Sequence, residues 1–211
     1  MGWEKIMDYD LLIEELFRSS IIHMETALTA CKPALEGAIR KSIEILERGG
    51  TIYFAGNGGS AADASHAAAE LMGSFEHYTS PLPAIALTTD TSLLTAVAND
   101  FSFDRVFLQQ VQALLKRDDI LWLISTSGDS MNLFHAAAWA RDKKISTVGL
   151  LGRHGGRLYQ QVDYPVVVPG DNTQRIQEVH ILMLHILASS LKRRFPSGVV
   201  KPVIPGPGEQ P

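Results

Sequence analysis

Five short, almost wholly apolar runs recur along the chain, at 51–55, 84–87, 120–124, 146–150 and 165–168. A sheet with one wet face would alternate apolar and polar residues, whereas these runs read as strands buried on both faces. Helical patterns fill the intervals between them, near 60–72, 91–97, 103–115, 131–141 and 156–161. Buried strands separated by helices specify a parallel sheet. Right-handed crossovers then give an α/β fold, a doubly wound three-layer α/β/α sandwich. In such sheets ligands sit beyond the C-terminal ends of the strands.

Ahead of the first strand, Leu11, Leu12, Ile13, Leu16, Phe17, Ile21, Ile22, Met24 and Leu28 recur with a helical period over 8–30. A second amphipathic helix is predicted over 33–48, closed by Gly49-Gly50. The two are expected to form an N-terminal helical hairpin whose apolar surface suits subunit contacts or packing on its own domain. A long last helix is expected over 173–195. With no internal repeat or interior linker, residues 1–195 read as one domain. The segment 196–211 holds five of the ten prolines and is expected to be a mobile tail.

A net charge of −4 offers no general attraction to nucleic acid or anionic membranes. Binding a phosphate would therefore need a local cradle. Cys31 is the one cysteine, which excludes a disulfide framework or a cysteine-rich zinc site within one chain. No uncharged apolar stretch approaches about 18 residues, so no membrane span is expected. The first residues include early acidic ones and no apolar secretory core, so a cytoplasmic protein is expected.

The polar clusters fall at the expected strand ends. Gly56-Asn57-Gly58-Gly59-Ser60 follows the first run and opens a helix. Glycines let backbone approach a ligand closely, and the free amides of a helix start suit an anion. The pattern is neither G-x-G-x-x-G nor a Walker loop, which disfavours a nucleotide cofactor. An ordinary turn capped by Ser60 would look the same. Along that helix His66 and Glu70 stand at i and i+4, a spacing that can chelate a metal ion or form a surface pair.

Ser125-Thr126-Ser127-Gly128-Asp129-Ser130 follows the third run and precedes another helix. A cap needs one hydroxyl; a cluster of them beside free amides favours a neutral phosphate nest. In the last helix Gln177 and His185 lie within about 80° of each other on its surface. A buried Gln or His needs a partner, and spacing leaves open whether His180 or His185 faces a site.

Together, the glycine loop, the His66/Glu70 pair, Asn99-Asp100-Phe101, the serine loop and the segment 175–185 resemble one family in order and spacing. It is the sugar isomerase (SIS) domain family, and within it the metal-dependent sedoheptulose 7-phosphate isomerases. The resemblance implies a flavodoxin-like SIS fold and a homotetramer with each site at a subunit interface. It implies conversion of sedoheptulose 7-phosphate to D-glycero-D-manno-heptose 7-phosphate, towards lipopolysaccharide or other surface glycans. It also implies Zn2+ held by His66, Glu70, Gln177 and His185, which selects His185 over His180. Asn57, Gly58, Gly59, Ser60, Glu70, Asn99, Asp100, Ser125, Thr126, Ser127, Ser130 and Gln177 would contact the sugar phosphate. Ketose–aldose exchange removes a proton beside a carbonyl and returns one to the neighbouring carbon. Glu70 would be the base and His185 its acid/base partner, with the metal polarising the carbonyl.

Three positions depart from the family pattern. Ser74 stands where many members carry Arg, His154 where Asp is common, and Gln174 where some have Asp. They bear on the exact substrate more than on the reaction class. The competing reading is a non-catalytic SIS-domain protein that binds phosphosugars or associates with a replication initiator. The initiator-binding relative resembles this chain in its serine loop but lacks the Glu of the His/Glu pair, so Glu70 favours an enzyme. A regulatory or lyase domain for an amino-sugar phosphate is opposed by the compact length and by Gln177 with His185.

Overall fold

The computed structural model describes residues 8–73, 75 and 80–198. Its strands are β1 (Ile52–Gly56), β2 (Ala84–Ala86), β3 (Ile120–Ser125), β4 (Ser146–Gly152) and β5 (Tyr164–Val168). Its helices are α1 (Tyr9–Glu47), α2 (Gly59–Met72), α3 (Thr91–Asp100), α4 (Val106–Leu114), α5 (Met131–Asp142) and α6 (Thr173–Arg194). All strand pairs are parallel, in the order β2-β1-β3-β4-β5.

The continuous apolar runs have a direct cause, because each strand feeds two cores. Ile52, Phe54, Ile120, Trp122, Ile124, Val148 and Leu150 pack under α1, α2 and α6. Tyr53, Ala55, Leu121, Leu123 and Leu151 face the opposite way, onto α3, α4 and α5. The period of two that separates these sets is the pleat of the strand. The result is the expected α/β/α sandwich in the flavodoxin order, whose switch point lies between β1 and β3. Loops leaving those two strands diverge and open a crevice, and both polar loops of the sequence leave from there.

The N-terminal hairpin is replaced by a single helix. α1 runs 39 residues with Pro33 inside it. Buried Ala27, Cys31, Leu35, Ala38, Ser42 and Ile45 step by three or four residues straight through the proline. A turn at Pro33 would break that stripe, which packs on α6 and β5. The lost hydrogen bond and ring clash cost about 3 kcal/mol, and continuous burial outweighs them. The first half of α1 stays bare, with Leu11, Phe17 and Leu28 63%, 69% and 66% exposed.

Two smaller expectations also change. The helix read over 156–161 is a 3₁₀ turn, Gly156–Leu158, because the Leu158 amide bonds Gly128 rather than extending a ladder. The helix read over 103–115 opens as another 3₁₀ turn, Phe103–Arg105, before α4. Ser74, and the tail from residue 199 onward, lie outside the described residues. Among those described, no helix is long and apolar enough to cross a membrane.

Candidate active site

Both loops are tied to each other across the switch point. Asn57 and Asn132 exchange amide hydrogen bonds of 2.9 and 2.8 Å, which locks the glycine loop to the start of α5. Gly58, with φ +55°, caps α2, so the cap is Gly58 and not Ser60, which is buried in the first turn. In the serine loop, Ser125 Oγ accepts from the Gly128 amide at 3.0 Å and Ser127 Oγ from the Asp129 amide at 3.2 Å. A hydroxyl that accepts from an amide keeps its own hydrogen free to donate. Ser130 Oγ lies 3.4 Å from Ser125 Oγ and makes no capping bond. The Thr126 carbonyl is pressed on Gly152, where a Cβ would sit 2.2 Å from it. The loop thus presents hydroxyl donors on a backbone braced from behind.

From the glycine loop, α2 and α6 run side by side in the same direction. Gln177 Nε2 donates to Asp63 Oδ2 at 3.2 Å. Two turns further along α6, His185 meets α2 again. His66 Nε2 lies 2.9 Å from Glu70 Oε1, His185 Nε2 lies 3.2 Å from His66 Nε2, and His185 Nε2 lies 3.4 Å from Glu70 Oε1. The Glu70 side chain is 12% exposed, between His66 at 51% and His185 at 40%. Its second oxygen, Oε2, is buried with no hydrogen-bond partner. Phe75 stacks on the His185 ring at 6.0 Å.

These three groups suit a cation. Two Nε2 atoms and one carboxylate oxygen face one another at 2.9–3.4 Å. The edge of a tetrahedron with bonds of about 2.0–2.1 Å is about 3.3–3.4 Å. Without a metal, two imidazole nitrogens 3.2 Å apart share at most one proton and a buried carboxylate oxygen goes unpartnered. The donor set and the orphaned oxygen both fit zinc. Gln177, eight residues before His185 on the same helix, has its amide against Asp63 and Gly59.

His180, which spacing left open, points into the fold. It is fully buried, and burial pulls its pKa down to about 4. Its ring nitrogens have no side-chain or well-aligned partner, and Leu151 main chain is the polar group that faces it. Asn99 and Asp100 are exposed at the end of α3, where Asn99 donates to Asp100 at 2.9 Å. They belong to the layer opposite α2 and α6, and the fold of one chain does not bring them to the cluster. His154 is exposed beside the serine loop, and Gln174 lines a cavity of about 470 Å³ with Asp63, Arg175, Gln177, Glu178 and Ile181.

The SIS domain family model matches residues 17–152. A phosphoheptose isomerase of Helicobacter pylori is 45% identical over 186 residues, covering 88% of this chain and 97% of that protein. This chain belongs to the SIS domain family, among the phosphoheptose isomerases. The corresponding protein of Aliarcobacter butzleri is 46% identical over 175 residues, covering 82% of this chain and 93% of its own. The structure of a phosphoheptose isomerase from Francisella tularensis superposes with a TM-score of 0.85 at 38% identity, covering 89% of this chain and all of that one.

Three members of this SIS site escaped the reading of the sequence. Asn132 holds Asn57, Asp63 holds Gln177, and Phe75 covers His185. The available signals were spacing: Asp63 precedes His66 by one turn on the same face, and Asn132 directly follows the serine loop. Phe75 carries none.

Proposed function

We infer that this protein is a phosphoheptose isomerase that converts sedoheptulose 7-phosphate to D-glycero-D-manno-heptose 7-phosphate by ketose–aldose exchange. The observation that carries the reading is Glu70: a shielded carboxylate with one oxygen turned to two imidazoles and the other unpartnered. The phosphate is received by the amides at the start of α2 and the hydroxyls of Ser125, Thr126, Ser127 and Ser130. Asn57, Gly58, Gly59 and Ser60 line the approach. Glu70 is the base that takes the proton beside the carbonyl. His185 returns a proton at the neighbouring carbon, its ring plane held by Phe75. His66, Glu70 and His185 would hold Zn2+, with Gln177 the fourth ligand implied by the family. Bound there, zinc would polarise the substrate carbonyl. Purified protein with zinc should turn sedoheptulose 7-phosphate into the aldose, identified by NMR, and excess chelator should abolish the reaction. No product in the presence of zinc would overturn the assignment.

The reading extends to a homotetramer with sites at subunit interfaces, in a cytoplasmic enzyme supplying heptose for lipopolysaccharide or other surface glycans. Supporting the assembly, the exposed apolar residues of α1 continue into a groove of about 520 Å³ between α1 and α6, walled by Met24, Leu28, Leu35, Ile39, Leu182 and Ile186. A neighbouring chain would also supply Asn99 and Asp100, which lie in the other layer of their own chain. Light scattering should give four chains per particle at micromolar concentration, and a stable monomer would refute the interface.

A further inference from the structure

Asp63 is a carboxylate with 7% of its surface exposed, on the inner face of α2 one turn before His66. Burying a carboxylate is costly unless its oxygens are used. Burial raises its pKa, opposed by the Gln177 hydrogen bond and by His66. Its side-chain partner is the Gln177 amide, donating through Nε2 at 3.2 Å. On its other side that amide is pressed against the first residue of α2: a Cβ on Gly59 would lie 2.3 Å from Nε2 and 2.7 Å from Oε1. The amide is therefore clamped between a carboxylate and a backbone, with little room to rotate. An amide has a donating end and an accepting end, whereas a carboxylate only accepts. Contact with Asp63 thus decides which end of Gln177 is left for a ligand.

We propose that Asp63 is a positioning residue that holds Gln177 by its nitrogen, so that Oε1 is the end offered to the sugar-phosphate site. The proposal rests on the reading that Gln177 serves that site. The chemistry offered is an acceptor oxygen, usable by zinc or by a substrate hydroxyl. Partners of this kind behind a ligand typically change affinity by about 10–100-fold when removed.

The test uses the full-length protein, with zinc affinity from competition against a chromophoric chelator and with steady-state kinetics. Asp63→Asn puts an amide against an amide, so either end of Gln177 can turn to the ligand. Zinc affinity should fall by about 10–100-fold if Oε1 binds metal; KM should rise by that factor at unchanged zinc affinity if Oε1 takes a hydroxyl. The double variant Asp63→Asn/Gln177→Glu reverses the polarity of the pair. The introduced amide donates to the introduced carboxylate, whose second oxygen is again an acceptor. It should recover most of the loss, which a merely structural role for Asp63 would not produce. Wild-type zinc affinity and KM in Asp63→Asn, or no recovery in the double variant while its melting temperature stays near wild type, overturns the proposal. Should the double variant melt early, Asp63→Asn/Gln177→Ala decides: a loss equal to that of Gln177→Ala alone means Asp63 acts through Gln177, and a larger one refutes it. If the wild-type protein binds neither zinc nor sugar phosphate, the assignment of the site falls first and this proposal with it.

Discussion

Glu70→Gln should lower kcat by about 10²–10⁴ while sugar-phosphate affinity stays within about tenfold of wild type. The substitution keeps the length and shape of the side chain and removes only its basicity. Glu70 is a shielded carboxylate, and an amide in its place cannot take a proton from carbon. The Glu70 side chain pairs with His66 and His185, and the serine loop is left unaltered, so phosphate binding should be kept. Oε1 is also grouped with His66 and His185, and an amide oxygen is a weaker metal ligand than a carboxylate. Zinc content must accordingly be measured on the same preparation. A Glu70→Gln protein that is fully active with normal zinc would remove Glu70 from the chemistry and leave the family assignment intact.

Gly128→Ala should raise KM by tenfold or more, about 1.4 kcal/mol, and lower the melting temperature by several degrees. Gly128 has φ +72°, a left-handed conformation that costs about 1–2 kcal/mol for a residue with a side chain. In a chain of this length that alone shifts the midpoint by about 2–8 °C. The added Cβ would meet the Gly155 carbonyl oxygen at 2.1 Å and the Gly156 nitrogen at 2.7 Å. Both are backbone, so no side chain can swing aside and the serine loop itself must move. Ser127 and Ser130 flank the displaced residue, so the phosphate hydroxyls lose their common geometry. Unchanged KM in Gly128→Ala would show that this loop is not the phosphate cradle.

Strands were readable in the sequence because each is covered on both faces, so their apolar runs are unbroken and start within a residue or two of the observed strands. The glycine and serine loops were equally plain, being contiguous and anchored to strand ends. Pro33 misled because its local cost is visible in sequence whereas the stripe of Ala27, Cys31, Leu35 and Ala38 that outweighs it acquires meaning only against α6 and β5. The choice between His180 and His185 was illegible for a related reason. Both project from an apolar helix, and only the packing of α2 on α6 says which side is the site and which the core. Asp63 and Asn132 act through other side chains rather than on a ligand, and such roles leave no pattern of their own. Asn99 and Asp100 were reached through resemblance alone, and one chain shows no use for them.

That α2 and α6 run in the same direction gives the site a fixed scale. Gly59 begins α2, and His66 and Glu70 stand about 10 and 16 Å along its axis, with side chains leaning back towards the start. A ligand that engages both the loop and the cluster must bridge an interval set by helical rise, not by the slack of a connecting segment. Loop-borne sites can widen or close around short and long substrates alike; two packed helices act as fixed calipers. One residue inserted between Gly59 and His66 would swing the imidazole by about 100° away from α6, whereas a change in the loop would merely shift its own jaw. In the proposed site, the interval between loop and cluster is therefore set by the backbone of the two helices.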